Sequence, residues 1–161
     1  YAVSRGVIPI VPSGSNSNNK YSITGISTLS NCISVGGLNT SANSIVPYKF
    51  SSAGPYGKSI KPDLCAACVN IVSLNSDLNY ISEKNGVKLY PKKLDAPHKT
   101  FSGTSIAAAY ICGICALLLE NKPDMTFKDI HSLLKVGCTS IEDIPKYIQG
   151  EGTVDIKKLT N

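Results

Sequence analysis

Apolar residues along this chain gather in short runs punctuated by Gly, Pro, Ser and Asn, with one much longer run late in the sequence. VIPIVPSG, from Val7 to Gly14, is a continuous apolar run closed by turn residues. It reads as a buried parallel strand, in which Pro9 and Pro12 are awkward. NCISVGGL, ending at Leu38, reads as a second buried strand, and SIVPYKF, ending at Phe50, as a third near an edge. SSAGPYGKSIKPD is broken by Gly and Pro and reads as loop, and VNIVSL, ending at Leu74, as a fourth strand. Upstream of all these, YAVSRG resembles the last turn of a helix with Gly6 in the left-handed cap position.

The long run is SIAAAYICGICALLLE, from Ser105 to Glu120. It is apolar on every side, which predicts a helix surrounded by protein, ended before Pro123. TFKDIHSLLKVG is amphipathic instead. Thr126 is its N-cap with Asp129 three residues on, Ile130, Leu133 and Leu134 form its apolar face, and Gly137 closes it. GEGTVDIKKLT reads as a turn leading into a short terminal helix. Strands mixed with helices predict an α/β protein.

Composition narrows the classes. A chain of 161 residues can bury a real core, and 42% hydrophobic with 17% charged residues fits a folded globular domain. The longest apolar run, Ile106 to Leu119, is interrupted by Gly113 and rich in alanine, which favours a core helix over a membrane span. Net charge is +5, and Lys84, Lys88, Lys92, Lys93 and Lys99 lie in one polar stretch of about residues 75–99. They lack the regular aromatic–basic interleaving of a nucleic-acid surface, so the stretch reads as a solvated insertion. The chain starts at Tyr1, one turn before a helix end, and its one methionine is Met125, so it reads as a piece of a longer protein.

Two constellations could carry chemistry. Six cysteines include the pairs Cys65/Cys68 and Cys112/Cys115, each spaced CxxC. Such spacing suits zinc, but Cys112 and Cys115 fall on the apolar helix, where a free thiol behaves as a small hydrophobe. Disulfides are disfavoured for the same geometric reason, and reduced thiols fit a cytosolic setting. The other constellation is Gly103-Thr104-Ser105 running straight into the helix. A helix start offers free N–H groups and partial positive charge, so a serine there can attack while its own N–H receives the oxyanion. Ala107, Ala108, Ala109 and Gly113 would let such a helix sit deep against a sheet. A capping serine on a buried helix explains the same residues, and the segment alone leaves both readings open.

The neighbouring blocks add a family resemblance. SGTSIAAAYICG is similar to the nucleophile motif Gly-Thr-Ser-Met-Ala-x-Pro-His-Val-x-Gly of the subtilisin-like serine proteases. AVSRGVIPIVPSGS resembles that family's helix end, central strand and oxyanion loop, and YKFSSAGPYGKSIKPDLCAACVNI resembles its Phe-Ser-Ser-x-Gly-Pro and Lys-Pro-Asp blocks. YIQGEGTVDIKKL resembles its closing segment. The blocks keep the family's order over nearly the whole chain, and the insertion near residues 75–99 is most like the AprX-type branch, usually regarded as intracellular. The resemblance implies a subtilisin-like three-layer α/β/α domain with a mostly parallel sheet, of which residues 1–161 are the C-terminal part. It implies peptide-bond hydrolysis through an acyl-enzyme on Ser105, with Ser13 and Gly14 against the substrate.

Departures from the pattern set further expectations. The oxyanion asparagine aligns with Ser15, and Asn16 follows it, so both are candidates for the donor. Ala109 and Tyr110 replace Pro and His, and Cys68 takes a glycine-like position where it should be strained. The family's catalytic Asp and His lie in its N-terminal half. Neither His98, expected in a loop, nor His131, on the flank of the amphipathic helix, has the family's His-Gly-Thr setting. These residues alone should therefore be inactive, needing the N-terminal half in the same chain or as another, or else exposing an apolar edge. No cofactor is expected. Calcium occurs in relatives, but no ligands are assigned to it. The competing reading is a degenerate subtilase that serves as a binding or scaffold domain.

Overall fold

The computed structural model describes residues 1–41, 44–76, 80–88 and 96–159. In chain order the strands and helices are β1 (Ile10–Pro12), β2 (Ile33–Asn39), β3 (Val46–Pro47), β4 (Leu64–Ala67), β5 (Ile71–Leu74), β6 (Glu83–Lys84), β7 (Val87–Lys88), β8 (His98–Phe101), α1 (Thr104–Asn121), α2 (Phe127–Val136), β9 (Cys138–Thr139), α3 (Lys146–Gln149), β10 (Thr153–Val154) and α4 (Ile156–Leu159). The main sheet runs β1-β2-β4-β10-β9, with β3 paired to β2. β1, β2, β4 and β10 are mutually parallel, while β3 and β9 join antiparallel. Pro12 is tolerated because β1 is an edge strand among the described residues, where a missing N–H leaves no ladder gap.

Alternation along β2 and β4 sorts the two faces. Ile33, Val35, Leu64, Ala66 and Cys68 point to one side and form a single core with Ala107, Ala108, Ile111 and Ile114 of α1 and Ile130 and Leu134 of α2. The other side carries smaller groups. A Cβ on Gly36 would strike the Cys65 sulfur at 2.6 Å and Pro62 at 2.9 Å, and the Ile148 carbonyl beside α3 lies close by. Helix α2 is capped as its sequence predicts: Thr126 Oγ1 accepts from the Asp129 N–H, and the Asp129 carboxylate accepts from the Thr126 N–H at 2.8 Å.

Three expectations need correction, and one strand was not foreseen. VNIVSL does form a strand, β5, paired antiparallel to β8 outside the main sheet, while the central strand is β4, in LCAACV. LCAA was hidden because its small residues carry little apolar weight. His98 lies in β8, opposite Leu74, not in a loop. The long apolar helix is not surrounded: one face of α1 packs across the sheet, but Tyr110 is 52% and Leu117 64% exposed. By length and composition α1 could cross a membrane, yet its buried face belongs to the core. Finally, Cys68 is not strained, and the left-handed residue near that point is Asn70, with φ 55°. The insertion near residues 75–99 contributes the β6–β7 hairpin and the first half of β8, and its residues 77–79 and 89–95 lie outside the described residues.

At the amino ends of β2 and β4 sits a buried ionic cluster. Lys61 Nζ is 2.6 Å from Asp63 Oδ2 and donates to the Cys32 carbonyl at 3.2 Å. His131 Nε2 lies 3.1 Å from Asp63 Oδ1, and the Ser34 N–H donates to Oδ2 at 2.7 Å. Burial opposes the charged form of Asp63, but the bonds from His131, Lys61 and Ser34 outweigh it and hold the carboxyl below its ordinary range. Asp63→Asn would leave the Lys61 ammonium buried without a counter-charge. It is expected to cost the full-length protein about 3–5 kcal/mol of unfolding free energy, read by urea denaturation. Since the folded-state pKa is the lower one, the stabilisation is fully present above about pH 4 and is lost as pH falls through the folded value. The Asp63→Asn protein should lack that part of the acid-induced loss.

Candidate active site

The carboxyl ends of β1, β2 and β4 meet the amino end of α1. Gly37 on β2 makes this junction possible: a Cβ there would lie 2.5 Å from the Cys68 sulfur and 3.3 Å from Thr104 Cγ2. With no side chain on Gly37, Thr104 seats directly on the sheet and is buried. Its Oγ1 donates to the Gly14 carbonyl at 3.2 Å, tying the start of α1 to the loop after β1. On the other flank the Gly103 N–H donates to the Cys68 carbonyl at 2.9 Å, and the Asn70 N–H to Ser102 Oγ at 3.0 Å. The turn is thus held from the β1 side and the β4 side.

This geometry settles how the helix begins. The N-cap is Gly103, with φ 145°, a conformation open to glycine and costly for other residues. No side chain caps it, and the first turn contains no acidic residue. Ser105 is therefore not the capping serine. It is the second helical residue, and it is exposed. The contrast with α2, capped by Thr126 and Asp129, is sharp. One helix start has a side-chain cap and a carboxylate against its partial positive charge, and the other has neither beside an exposed hydroxyl.

The loop from Ser13 to Asn16 is stitched to Ser51 and Ser52. Ser13 Oγ lies 3.2 Å from Ser51 Oγ, which also accepts from the Gly37 N–H at 2.9 Å. Ser52 N–H donates to the Gly14 carbonyl at 3.1 Å, and the Asn16 N–H donates to Ser52 Oγ at 2.9 Å. Gly14 has φ 106°, and a Cβ there would meet Ser52 Oγ at 2.9 Å. Ser13 is buried, while Ser15 and Asn16 are exposed. The Asn16 amide donates to the Ser22 carbonyl at 3.2 Å and reaches Thr24 Oγ1 at 3.4 Å. Sequence reasoning missed the supporting roles of Thr104, Ser51 and Ser52. The hydroxyls in FSSAGP were the available signal, since buried serines need partners.

Neither histidine belongs to this cluster. His98 is an exposed residue of β8, and His131 stacks on Phe127 and bonds to Asp63 at the far end of the sheet. The six cysteines are all free. Burial pushes the thiols of Cys68, Cys115 and Cys138 up to about 11, and Cys65 higher still, so they stay protonated at neutral pH. Among the described residues no group of three His, Cys, Asp or Glu side chains is placed to hold a metal, and no step is assigned to calcium or zinc.

A mostly parallel sheet that presents a Gly-Thr-Ser turn at its carboxyl edge defines a subtilisin-like α/β protein. A family model for the subtilases, Peptidase S8, matches residues 1–152. AprX, a serine protease of Bacillus subtilis strain 168, is 34% identical over 160 residues, covering 96% of this chain and 35% of that protein. Subtilisin-like protease 1 of Plasmodium berghei is 28% identical over 88 residues, covering 55% of this chain and 15% of its own. Among solved structures, fervidolysin from Fervidobacterium pennivorans superposes with a TM-score of 0.76 at 23% identity, over 99% of this chain and 23% of that one. Sphericase does so with a TM-score of 0.76 at 18% identity, over 97% of this chain and 50% of its own. The chain belongs to the subtilase family of serine proteases. It spans about a third (35%) of the length of AprX.

The Thr104–Gly14 tie generates a test. Thr104→Val keeps the shape and removes the hydroxyl. It is expected to weaken the fold by about 1 kcal/mol and to speed amide hydrogen exchange at Asn16 and Ser52, whereas Thr104→Ser should preserve both.

Proposed function

We propose that Ser105 is the nucleophile of a serine endopeptidase whose catalytic domain includes this chain. The observation that carries this reading is the amino end of α1, where no side chain caps the helix and the hydroxyl-bearing Ser105 is exposed in its first turn. In this mechanism Ser105 Oγ attacks the scissile carbonyl, a base takes its proton, and the Ser105 N–H helps to hold the oxyanion. The Ser13–Gly14 backbone forms one wall against the substrate. The base and its orienting carboxylate come from the rest of the catalytic domain, in the same chain or another. Two apolar surfaces suit that remainder: the outer face of α1 at Tyr110 and Leu117, and the groove of Pro9, Val11, Ile26 and Leu29 beside the free edge of β1. The free thiols and the likeness to AprX support a cytoplasmic setting.

One observation favours a second reading, a degenerate subtilase that binds polypeptides without cleaving them. The Asn16 amide is spent on Ser22 and Thr24, and it is Ser15 that aligns with the family's oxyanion asparagine. Fluorophosphonate labelling of the full-length protein separates the two. Labelling at Ser105, lost in Ser105→Ala, supports the enzyme, and an inert Ser105 in folded protein supports the binding domain. Replacing the oxyanion donor should lower kcat by about 10²–10³ with little change in KM. Comparison of Ser15→Ala with Asn16→Ala identifies which residue that is.

A further inference from the structure

We infer that the β5–β8 ribbon binds an extended stretch of polypeptide substrate beside Ser105, with apolar side chains at alternate positions on one face and acidic ones on the other. The inference rests on the reading of Ser105 as the substrate-facing centre and names a second place where the same polypeptide is held.

The ribbon is rooted at the nucleophile turn. β5 follows β4 directly, β8 ends four residues before Ser105, and the bonds Gly103 N–H to Cys68 and Asn70 N–H to Ser102 lash its base to the turn. Phe101 and Ser105 are therefore no more than about 14 Å apart along the chain. The Ser13–Asn16 loop is tied to the turn from the β1 side and the base of the ribbon is tied to it from the β4 side, so the ribbon starts next to the place where a polypeptide at Ser105 would lie.

Its two faces differ in chemistry. Register pairs Val72 with Thr100 and Leu74 with His98, which places all four on one face. Val72 is 66% and Leu74 75% exposed, an apolar pair that no other described element covers. The opposite face carries Ser73 across from Lys99. Ser73 is too small to block the Lys99 side chain, whose ammonium lies 6.0 Å from the Phe101 ring centre. Two strands alone are marginal in water, and neither outer edge of this ribbon bears a third among the described residues. A segment added along β5 gains backbone hydrogen bonds from the edge, apolar contact with Val72 and Leu74, and a cation for carboxylates on its other face. In the described part of the insertion Glu83 is matched across strands to Lys88, which leaves Lys84 and Lys99 as excess positive charge.

The test uses the full-length protein and two synthetic peptides. One carries an alternating apolar–acidic segment next to the cleaved bond, and the other is truncated before it. Val72→Ser with Leu74→Ser changes only exposed positions and adds no charge. It should lower kcat/KM for the long peptide about tenfold, mainly through KM, and leave the short peptide and fluorophosphonate labelling of Ser105 unchanged. Lys99→Glu should shift preference from acidic to basic alternation. In Ser105→Ala protein, fluorescence anisotropy should show the long peptide binding about tenfold more weakly when Val72 and Leu74 are replaced. Methylation of alternate peptide amides should abolish the advantage of the long peptide. Equal cleavage and equal binding with and without the ribbon substitutions would overturn the inference. Ribbon-dependent binding with an unreactive Ser105 would uphold it and overturn the enzyme reading instead.

Discussion

The contact on which the site depends is the close approach of Thr104 to the glycine at position 37. An α-helix cannot bring its first turn onto the end of a parallel sheet unless both surfaces are small there. Gly37 supplies the missing side chain on β2, and Ala107 and Ala108 supply the thin face of α1. Once seated, the helix start is pinned from both sides, by Gly14 through Thr104 and by Cys68 through Gly103. The position of Ser105 is then a consequence of backbone geometry: one residue after the buried Thr104, a helix turns its next side chain outward. The serine is exposed because its neighbour is buried.

Much of this was legible in the residues. The run from Ile33 to Leu38 reads as a buried strand because nothing polar stronger than a serine interrupts it, and Thr126 with Asp129 reads as a cap because the two bonds are local. What stayed hidden depends on distant partners. LCAA carries too little apolar weight to announce a central strand, and only its pairing with β2 makes it one. The lysine-rich stretch looks like solvated loop until register places His98 against Leu74 and Lys99 against Ser73. The apolar run of α1 signals burial on all sides, because a pattern of small and apolar residues does not show which face the sheet leaves uncovered. The family was readable through the order of the blocks that flank Ser105. The supports of the site, Ser51 and Ser52, were not, since a buried hydroxyl is recognisable only once its acceptor is known.

The two ends of the sheet also divide their electrostatics in opposite ways. At the amino ends, charge is buried and neutralised locally: Asp63 takes Lys61 and His131 as partners and accepts the Ser34 N–H as well. At the carboxyl ends, the residues that build the site, from Ser13 to Asn16, at Ser51 and Ser52 and from Ser102 to Ser105, include no ionisable acid or base. The ties there are made by neutral hydroxyls, the Asn16 amide and backbone groups. An acidic residue in the first turn of α1 would stabilise that helix by roughly 0.3–1 kcal/mol. It would also cancel the positive potential an oxyanion needs. The chain forgoes that cap on α1 while using it on α2, as the proposed oxyanion site at the start of α1 requires.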